Sequence, residues 1–264
     1  MIKHFLTALV LLMAFHTADL FAQSKTSSYC EDSQEIRYTT DPNAKLTKGK
    51  GPVISEERSL PAIEKIIVGN GMHLVLSNDN NGTFRIEAQE NILPLINSSV
   101  NDGELVLSLT SSLQTREGIK VYMSAGQVNQ IIAKEGSFLE IPDGLNNHSL
   151  DLLVTSGSNG NCHLNLKDLK CHVKNGSNLT LEGSVQKEAE IFVTSASNFR
   201  GKKFKGEECA VTVSNASNCI LHVGSALYAN VEGVSNLSYY GNPKYIEEKS
   251  LNMSNINHRG NSKL

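Results

Sequence analysis

The sequence has no tryptophan, and all aromatic residues together make up only 6% of its 264 residues. Proteins that bind sugars commonly use exposed aromatic rings as platforms, so this scarcity weakens a glycan-binding hypothesis without excluding it. The formal net charge is only −3, which is too small to predict binding to nucleic acid or to an anionic membrane surface. The aromatic residues that could still contact a glycan are Tyr228, Tyr239, Tyr240 and Tyr245.

Sequence motifs for catalysis are missing as well. The chain contains no HExxH, GxSxG or CxxC pattern and no phosphate-binding loop. The sequence therefore offers no catalytic residue, no metal ligand and no cofactor site, and we predict a protein that is not an enzyme.

The sequence also lacks an apolar run that could cross a membrane as a helix, which takes about 20 residues. Its longest apolar run, Phe5 to Phe15, follows Lys3 and ends a few residues before the small residue Ala22. This pattern predicts a secretory signal peptide over residues 1–22, with an uncleaved anchor as the alternative. No cysteine stands directly at the cleavage site, so we do not expect a lipoprotein. The mature chain should be extracytoplasmic, in the periplasm, on the outer surface or secreted.

A polar turn recurs about every twenty residues through the second half of the chain. Its copies read EGSFLEI, SGSNGNC, NGSNLTL, SASNFRG, NASNCIL, GVSNLSY and NMSNINH. Self-similarity at such a period is typical of stacked repeats, in which each unit buries its apolar face against its neighbours. The central serines, at intervals of 18 to 21 residues, are Ser137, Ser158, Ser177, Ser197, Ser217, Ser235 and Ser254.

The residues around each serine alternate between apolar and polar, as in a β-strand with one buried face. The column six positions before the serine is Ile131, Leu152, Cys171, Ile191, Val211 and Ala229. The column four positions before it is Ala133, Val154, Val173, Val193, Val213 and Val231. The column two positions after it is Leu139, Leu179, Phe199, Cys219, Leu237 and Ile256. Each repeat should therefore contain a strand, a turn, a second strand and a second turn.

These patterns predict an all-β fold, a right-handed parallel β-helix or β-solenoid with coils of about 20 residues. The alternative is an antiparallel β-sandwich, which would not explain why one residue type returns at one phase. Residues 53–258 would form the solenoid, residues 23–52 a polar mobile leader with little buried, and residues 259–264 a frayed tail. The first coils should be irregular, with a short helical turn in 90–98 and strands near 64–68, 72–77, 83–88, 104–110 and 119–124.

An asparagine follows the central serine in six of the seven copies. Asparagine tolerates the left-handed backbone, so turn chemistry predicts that it forms the corner in that conformation. On this prediction Asn198→Gly is nearly neutral and Asn198→Val is costly, whereas the position of Val234, before the serine, needs no left-handed residue. Stacked asparagine amides can also hydrogen-bond from coil to coil. The alternative is a strip that binds a sugar or an ion. The structural turn column comprises Ser158, Asn159, Ser177, Asn178, Ser197, Asn198, Ser217, Asn218, Ser235 and Asn236.

Cysteine and histidine offer little further chemistry. Cys171 and Cys219 occupy apolar columns and are predicted to be small buried hydrophobic residues, with a Cys162–Cys171 or Cys209–Cys219 disulfide as the alternative. His163 and His222 share an outward phase, but about 14 Å would separate them at the usual strand spacing, too far to share a metal. An odd number of cysteines leaves at least one unpaired, and the five are Cys30, Cys162, Cys171, Cys209 and Cys219.

The chain resembles the auto-transporter adhesin head domain, or GIN domain, of secreted bacterial proteins. The resemblance covers about residues 53–258 and rests on the repeated turns and on the closing SNLSYYGNP (235–243). It also rests on AIEKIIVGNGMHLVL (62–76), DGELVLSL (102–109) and IKVYMSAGQVNQIIAKEGS (119–137). The chain departs from the family in having asparagine where a second turn glycine is usual. The resemblance implies an extracytoplasmic β-solenoid and brings no catalytic residues with it.

Three functional hypotheses follow. The first is an exported, non-enzymatic module for adhesion or scaffolding, whose partner would be a glycan or a protein of a host or cell surface. The second is a protein that binds or degrades polysaccharides, although no outward column repeats acidic or basic residues in three adjacent coils. The third is an envelope structural or stress protein without a ligand.

Overall fold

The computed structural model describes residues 36–38, 45–78 and 82–260. The predicted signal peptide 1–22, Cys30, much of the leader and the last residues of the tail lie outside them. The described chain is almost entirely β-structure, with one 3-10 turn, η1 (Leu93–Leu95). The strands before the repeats are β1 (Ile36–Tyr38), β2 (Thr47–Lys48), β3 (Val53–Ser59), β4 (Lys65–Val68), β5 (His73–Ser77), β6 (Thr83–Gln89), β7 (Ile96–Asn101), β8 (Glu104–Leu109), β9 (Leu113–Thr115) and β10 (Lys120–Ser124). The strands of the repeats are β11 (Gln130–Ala133), β12 (Phe138–Val154), β13 (Asn159–Val173), β14 (Asn178–Val193), β15 (Asn198–Val213), β16 (Asn218–Glu232), β17 (Asn236–Tyr240), β18 (Tyr245–Leu251) and β19 (Asn255–His258).

The repeats stack as coils of one β-solenoid. Each of the long strands β12 to β16 forms most of one coil, and each pairs in parallel with the next. The last coil, β18 and β19, pairs in parallel with β16 and β17. The predicted parallel β-solenoid with coils of about 20 residues is confirmed, and the antiparallel sandwich is excluded by these parallel pairings.

The interior of the solenoid consists of the predicted apolar columns. Val154, Val173 and Val193 are aligned in neighbouring strands and are 0% exposed. The parallel register places the same phase of every repeat in the interior, so one unit covers the apolar face of the next. Burying one such side chain contributes about 1.5–3 kcal/mol relative to leaving it exposed.

The second turn predicted in each repeat is absent from the long coils. The chain instead continues as one strand through a bend, where the register between neighbouring coils shifts. Such shifts lie between Ile141 and Leu145 in β12 and between Leu166 and Leu169 in β13. A β-bulge bends a strand without ending its hydrogen bonding, which explains why no separate turn is needed.

The N-terminal half only partly follows the coils. β4 and β5 form an initial coil, in parallel with β11 and β12. Antiparallel pairs join it, β3 with β6, β6 with β10 and β7 with β8. All five strands predicted here are present, and η1 lies in the predicted helical turn, but irregular coils alone do not describe this half. Asp102 and Gly103 both have positive φ, the geometry of a tight hairpin turn, which sends the chain back antiparallel between β7 and β8.

Part of the predicted mobile leader is ordered and buried. β1 and β2 form a small sheet with β9 between them. Tyr38 is only 5% exposed, and its hydroxyl oxygen accepts a hydrogen bond from the backbone N–H of Ile119. The prediction that little of residues 23–52 is buried is therefore wrong for this segment, because Ile36 and Tyr38 both pack against the core and dock it there.

The last coil has polar residues at two of three positions where the preceding coil is apolar. Register places Ile246, Glu248 and Ser250 of β18 against core residues of β16, and Glu248 lies opposite Ala229. Every residue of β18 is exposed. Burial, followed by a hydrogen bond to Glu248, raises the pKa of Tyr239 to about 12. A carboxylate thus replaces the apolar column at the end of the stack.

Within the described ranges, no helix has the length and apolar character needed to span a membrane.

Candidate functional site

Each corner of the solenoid has two consecutive residues in the left-handed conformation, directly before the serine or, in the initial coil, directly before Met72. Two adjacent positive φ angles define a type I′ turn. The predicted assignment of this conformation to the asparagine is wrong, because β13 to β17 begin at their asparagines in extended backbone. The pairs, with φ between 52° and 73°, are Asn70–Gly71, Glu135–Gly136, Ser156–Gly157, Asn175–Gly176, Ser195–Ala196, Asn215–Ala216, Gly233–Val234 and Asn252–Met253.

The serine column points into the solenoid and is closed to solvent. The serines from Ser137 to Ser235 are 0% exposed. The backbone N–H of Ser177 donates to the Oγ of Ser197 at 3.2 Å, and Ser197 makes the same bond to Ser217. A buried N–H without a partner costs about 1–3 kcal/mol, and a small hydroxyl is well suited to accept it inside a tight corner. Serine at this position therefore joins neighbouring coils and cannot contact a ligand in solution.

The asparagine column points outward and forms a continuous ladder of amides. The Nδ2 of Asn198 donates to the Oδ1 of Asn178 at 2.9 Å, and that of Asn218 donates to Asn198 at 3.1 Å. The same bond joins Asn178 to Asn159 and Asn236 to Asn218. Each amide in the middle of the ladder uses one N–H and one acceptor lone pair, which leaves one N–H and one lone pair for other partners.

A shallow trough of about 330 Å³ runs beside the C-terminal end of this ladder. We call it the arginine trough, because two arginines but no aspartate or glutamate are among its lining residues. Its polar side chains come from successive coils, so the trough crosses the strands and follows the stack. The lining residues that matter here are Asn198, Arg200, Asn218, Asn236, Ser238 and Arg259.

The charges around the trough are unevenly paired. Arg200 is exposed and has no hydrogen-bond or ion-pair partner within residues 36–38, 45–78 and 82–260. Arg259 is exposed and its Nε donates to the Oγ of Ser238 at a long 3.4 Å. Nearby, the Nζ of Lys203 lies 3.0 Å from a carboxylate oxygen of Glu182. The trough therefore carries two guanidinium groups that the described part of the chain does not neutralise.

The described cysteines are not available for chemistry. Cys162, Cys171, Cys209 and Cys219 are free and buried, so neither alternative disulfide is formed. Burial raises the pKa of Cys209 to about 12 and raises that of the other three thiols as well. Because the thiolate is the reactive form, these side chains act as small apolar core residues, as predicted for Cys171 and Cys219.

The other candidate residues are dispersed. Tyr228 and Tyr245 are 43% and 51% exposed and lie together, with ring centroids 5.2 Å apart. Tyr239 is buried, and the ring of Tyr240 lies 5.7 Å from the Nζ of Lys202. His163 is aligned with Glu182 rather than with His222, and no group of metal-ligating side chains occurs in the described ranges.

Arg200 and Arg259 of the trough were missed in the sequence because they stand at different phases of different repeats, so no column in the sequence connects them.

The fold and this surface define a class of protein, a stacked-coil solenoid that presents rows of side chains at fixed spacing on a stable interior. The family model described as "Putative auto-transporter adhesin, head GIN domain" matches residues 62–243, and the chain belongs to this family. The resemblance stated from the sequence is thereby confirmed. No curated protein matches the sequence.

Solved structures of low sequence identity share the fold. A "putative adhesin" from Bacteroides fragilis has a TM-score of 0.74 at 20% identity, covering 80% of this chain and 99% of that one. A "putative adhesin" from Parabacteroides distasonis has a TM-score of 0.64 at 16% identity, covering 81% and 100%. A "Putative lipid binding protein" from the same species has a TM-score of 0.64 at 14% identity, covering 81% and 99%. At these identities the likeness shows the fold alone.

Proposed function

We propose that the chain is an exported, non-enzymatic module that acts in adhesion or scaffolding, in the periplasm or on the cell surface. Membership in the adhesin head family suggests a surface role. The observation that carries the proposal is the construction of the outer face. The exposed rows rest on coils whose interior is closed to solvent and mostly apolar, so contact residues are held at fixed positions before a partner arrives. Such preorganisation lowers the entropic cost of binding.

Export belongs to the same proposal and depends on the predicted signal peptide. The apolar run between Phe5 and Phe15 is short and is followed by the small residue Ala22. We expect N-terminal sequencing of the protein from an envelope fraction to begin at Gln23 or within a few residues of it. Recovery of extracytoplasmic protein that retains Met1 would contradict cleavage.

The adhesive role is tested with the mature chain, residues 23–264, immobilised on beads. We expect beads coated with it to retain glycans, matrix proteins or whole cells above the level of beads coated with heat-unfolded protein. Failure to retain any of them would contradict adhesion and leave an envelope structural role. Release of reducing ends from a panel of acidic polysaccharides would contradict the non-enzymatic assignment.

A further inference from the structure

We propose that the arginine trough binds an acidic polysaccharide, one that carries carboxylate or sulfate groups along an extended chain. This inference rests on the proposed function and deepens it, because it names the ligand class of the adhesive surface. It rests on three features of the trough, which are its charge, its spare hydrogen-bonding capacity and its dimensions.

The charge of the trough is opposite to that of the whole chain. The formal net charge of the protein is −3, yet Arg200 and Arg259 line a surface without any acidic side chain. Guanidinium groups bind carboxylate and sulfate-like oxygens through paired N–H donors. Elsewhere on the chain, Arg58 and Arg85 contact the carboxylates of Glu56 and Glu87, respectively. Arg200 has no such partner among the described residues and is free to bind an anion.

The amide ladder supplies the hydrogen bonds that sugar hydroxyl groups require. Asn198 and Asn218 each retain one N–H and one acceptor lone pair after the bonds within the ladder. A hydroxyl group both donates and accepts a hydrogen bond, so an amide with both functions is its natural partner. The half-buried hydroxyl of Ser238 accepts the long hydrogen bond from Arg259 and can still donate its own O–H one coil further on.

The spacing of the ladder fits a polymer. Asn198, Asn218 and Asn236 repeat at the strand spacing of about 4.8 Å, which is close to the length of one sugar unit in an extended chain. Arg200 lies in the coil of Asn198, and Arg259 belongs to the last coil, three spacings or about 14 Å further along the stack and two residues further along the strand. The trough therefore matches a stretch of about three sugar units with an acidic group near each end.

Other polyanions fit the trough less well. Proteins that bind single-stranded nucleic acid stack bases on exposed aromatic rings, whereas the only aromatic lining residue, Phe199, is 1% exposed. A membrane surface would need exposed apolar side chains beside the charges, and Ile220 is the only partly exposed aliphatic side chain in the lining.

The test measures affinity of the mature chain by biolayer interferometry for polygalacturonate and chondroitin sulfate, and for neutral dextran, single-stranded RNA and anionic lipid vesicles as comparisons. We expect binding to one or both acidic polymers and none to dextran. Binding to chondroitin sulfate without binding to polygalacturonate would show that the site requires sulfate, because both polymers carry carboxylates. We expect the double variant Arg200→Gln/Arg259→Gln to lose at least tenfold in affinity. The matched control Arg37→Gln/Arg116→Gln removes the same charge from exposed positions elsewhere and should bind like the parent protein.

Three results would overturn the inference. They are no binding to either acidic polymer, equal losses in the two double variants, and tighter binding to single-stranded RNA or to anionic lipid vesicles than to the polysaccharides. The bead assay separates this inference from the proposed function. If beads coated with Arg200→Gln/Arg259→Gln still retain cells or matrix as the parent does, the trough is not the adhesive site while adhesion stands. If parent beads retain nothing, adhesion itself fails, whatever the polymers show.

Discussion

Single residues set the geometry of the corners. The left-handed pair before each serine includes glycine in some coils and residues with a Cβ in others. Ala196, Ala216, Val234 and Met253 occupy the second position of the pair with φ between 58° and 61°. A left-handed L-residue costs about 1–2 kcal/mol, and a β-branched side chain is least suited to it. The corner of β17 therefore contains local strain at Val234, which the surrounding coils maintain.

Val234→Gly should stabilise the protein. Glycine removes the left-handed penalty of about 1–2 kcal/mol and loses about 0.5–1 kcal/mol through extra freedom of the unfolded chain. Because Val234 is 59% exposed, little packing is lost. We expect a gain of up to about 1.5 kcal/mol in the free energy of unfolding, measured by denaturant titration.

Introducing glycine two residues later, at Asn236, should destabilise the protein instead. Asn236 lies in extended backbone and donates a ladder hydrogen bond to Asn218 at 3.1 Å. Asn236→Gly should therefore cost about 1–2 kcal/mol, from the lost bond and the added freedom of glycine in a strand. If Asn236→Gly proved neutral and Val234→Gly destabilising, the left-handed residue would lie where the sequence first suggested.

At the scale of the elements, the arrangement of the repeat strands follows from the alternation of apolar and polar residues, and it could be predicted from the sequence. The valine column at Val154, Val173 and Val193 gave the strand, its inward phase and its parallel partner, because a period of two and a repeat of twenty leave one consistent arrangement. The bends could not be predicted, since bulges have no residue signature in these repeats. The β7–β8 hairpin was missed although Asp102–Gly103 is a residue pair typical of a tight hairpin turn. The corners were placed correctly but their conformation was assigned to the wrong residue. Serine and asparagine were both attributed to turn chemistry, whereas the coil-to-coil bonds of Ser197 and Asn198 need neighbouring repeats to be visible.

The inward phase of β14 can be tested at two adjacent residues. Val193 is 0% exposed and lies between Val173 and Val213. Val193→Asp would bury an unpaired charge and should cost several kcal/mol, comparable with the whole stability of a domain. Thr194→Asp, at the outward phase, should cost well under 1 kcal/mol. Thermal melting of both variants decides the matter, and equal melting temperatures would mean that the phase is wrong.

At the scale of the whole molecule, the stack of coils must end in a strand with a free edge. The last strand of a solenoid has a neighbour on one side only, and its other edge can pair with another molecule. Inward-pointing charge on an edge strand opposes such pairing, because partner strands would bury it. Glu248 occupies this position in β18, at the register of the core residue Ala229. Exposed Tyr245, Ile246 and Leu251 on the same strand make such protection necessary.

Glu248→Leu should promote self-association. The substitution extends the apolar column to the free edge and removes the charge that a partner strand would bury. We expect an increase in average mass with concentration in light scattering, relative to the parent protein. Glu247→Leu makes the same change at the neighbouring outward phase and should associate less. Equal association of the two variants would show that general hydrophobicity, and not the inward charge, controls the edge.

The register shifts at the bends also determine where the chain can change length. Corners of neighbouring coils remain aligned although the repeats differ by up to three residues, because the surplus residues are accommodated at the bulges. One such shift lies between Val185 and Glu188 of β14, where Gln186 and Lys187 are exposed. A foreign peptide inserted between those two residues would leave corners and interior columns in place. The bend thus offers an attachment point for displayed epitopes, on a scaffold whose repeats already vary in length there.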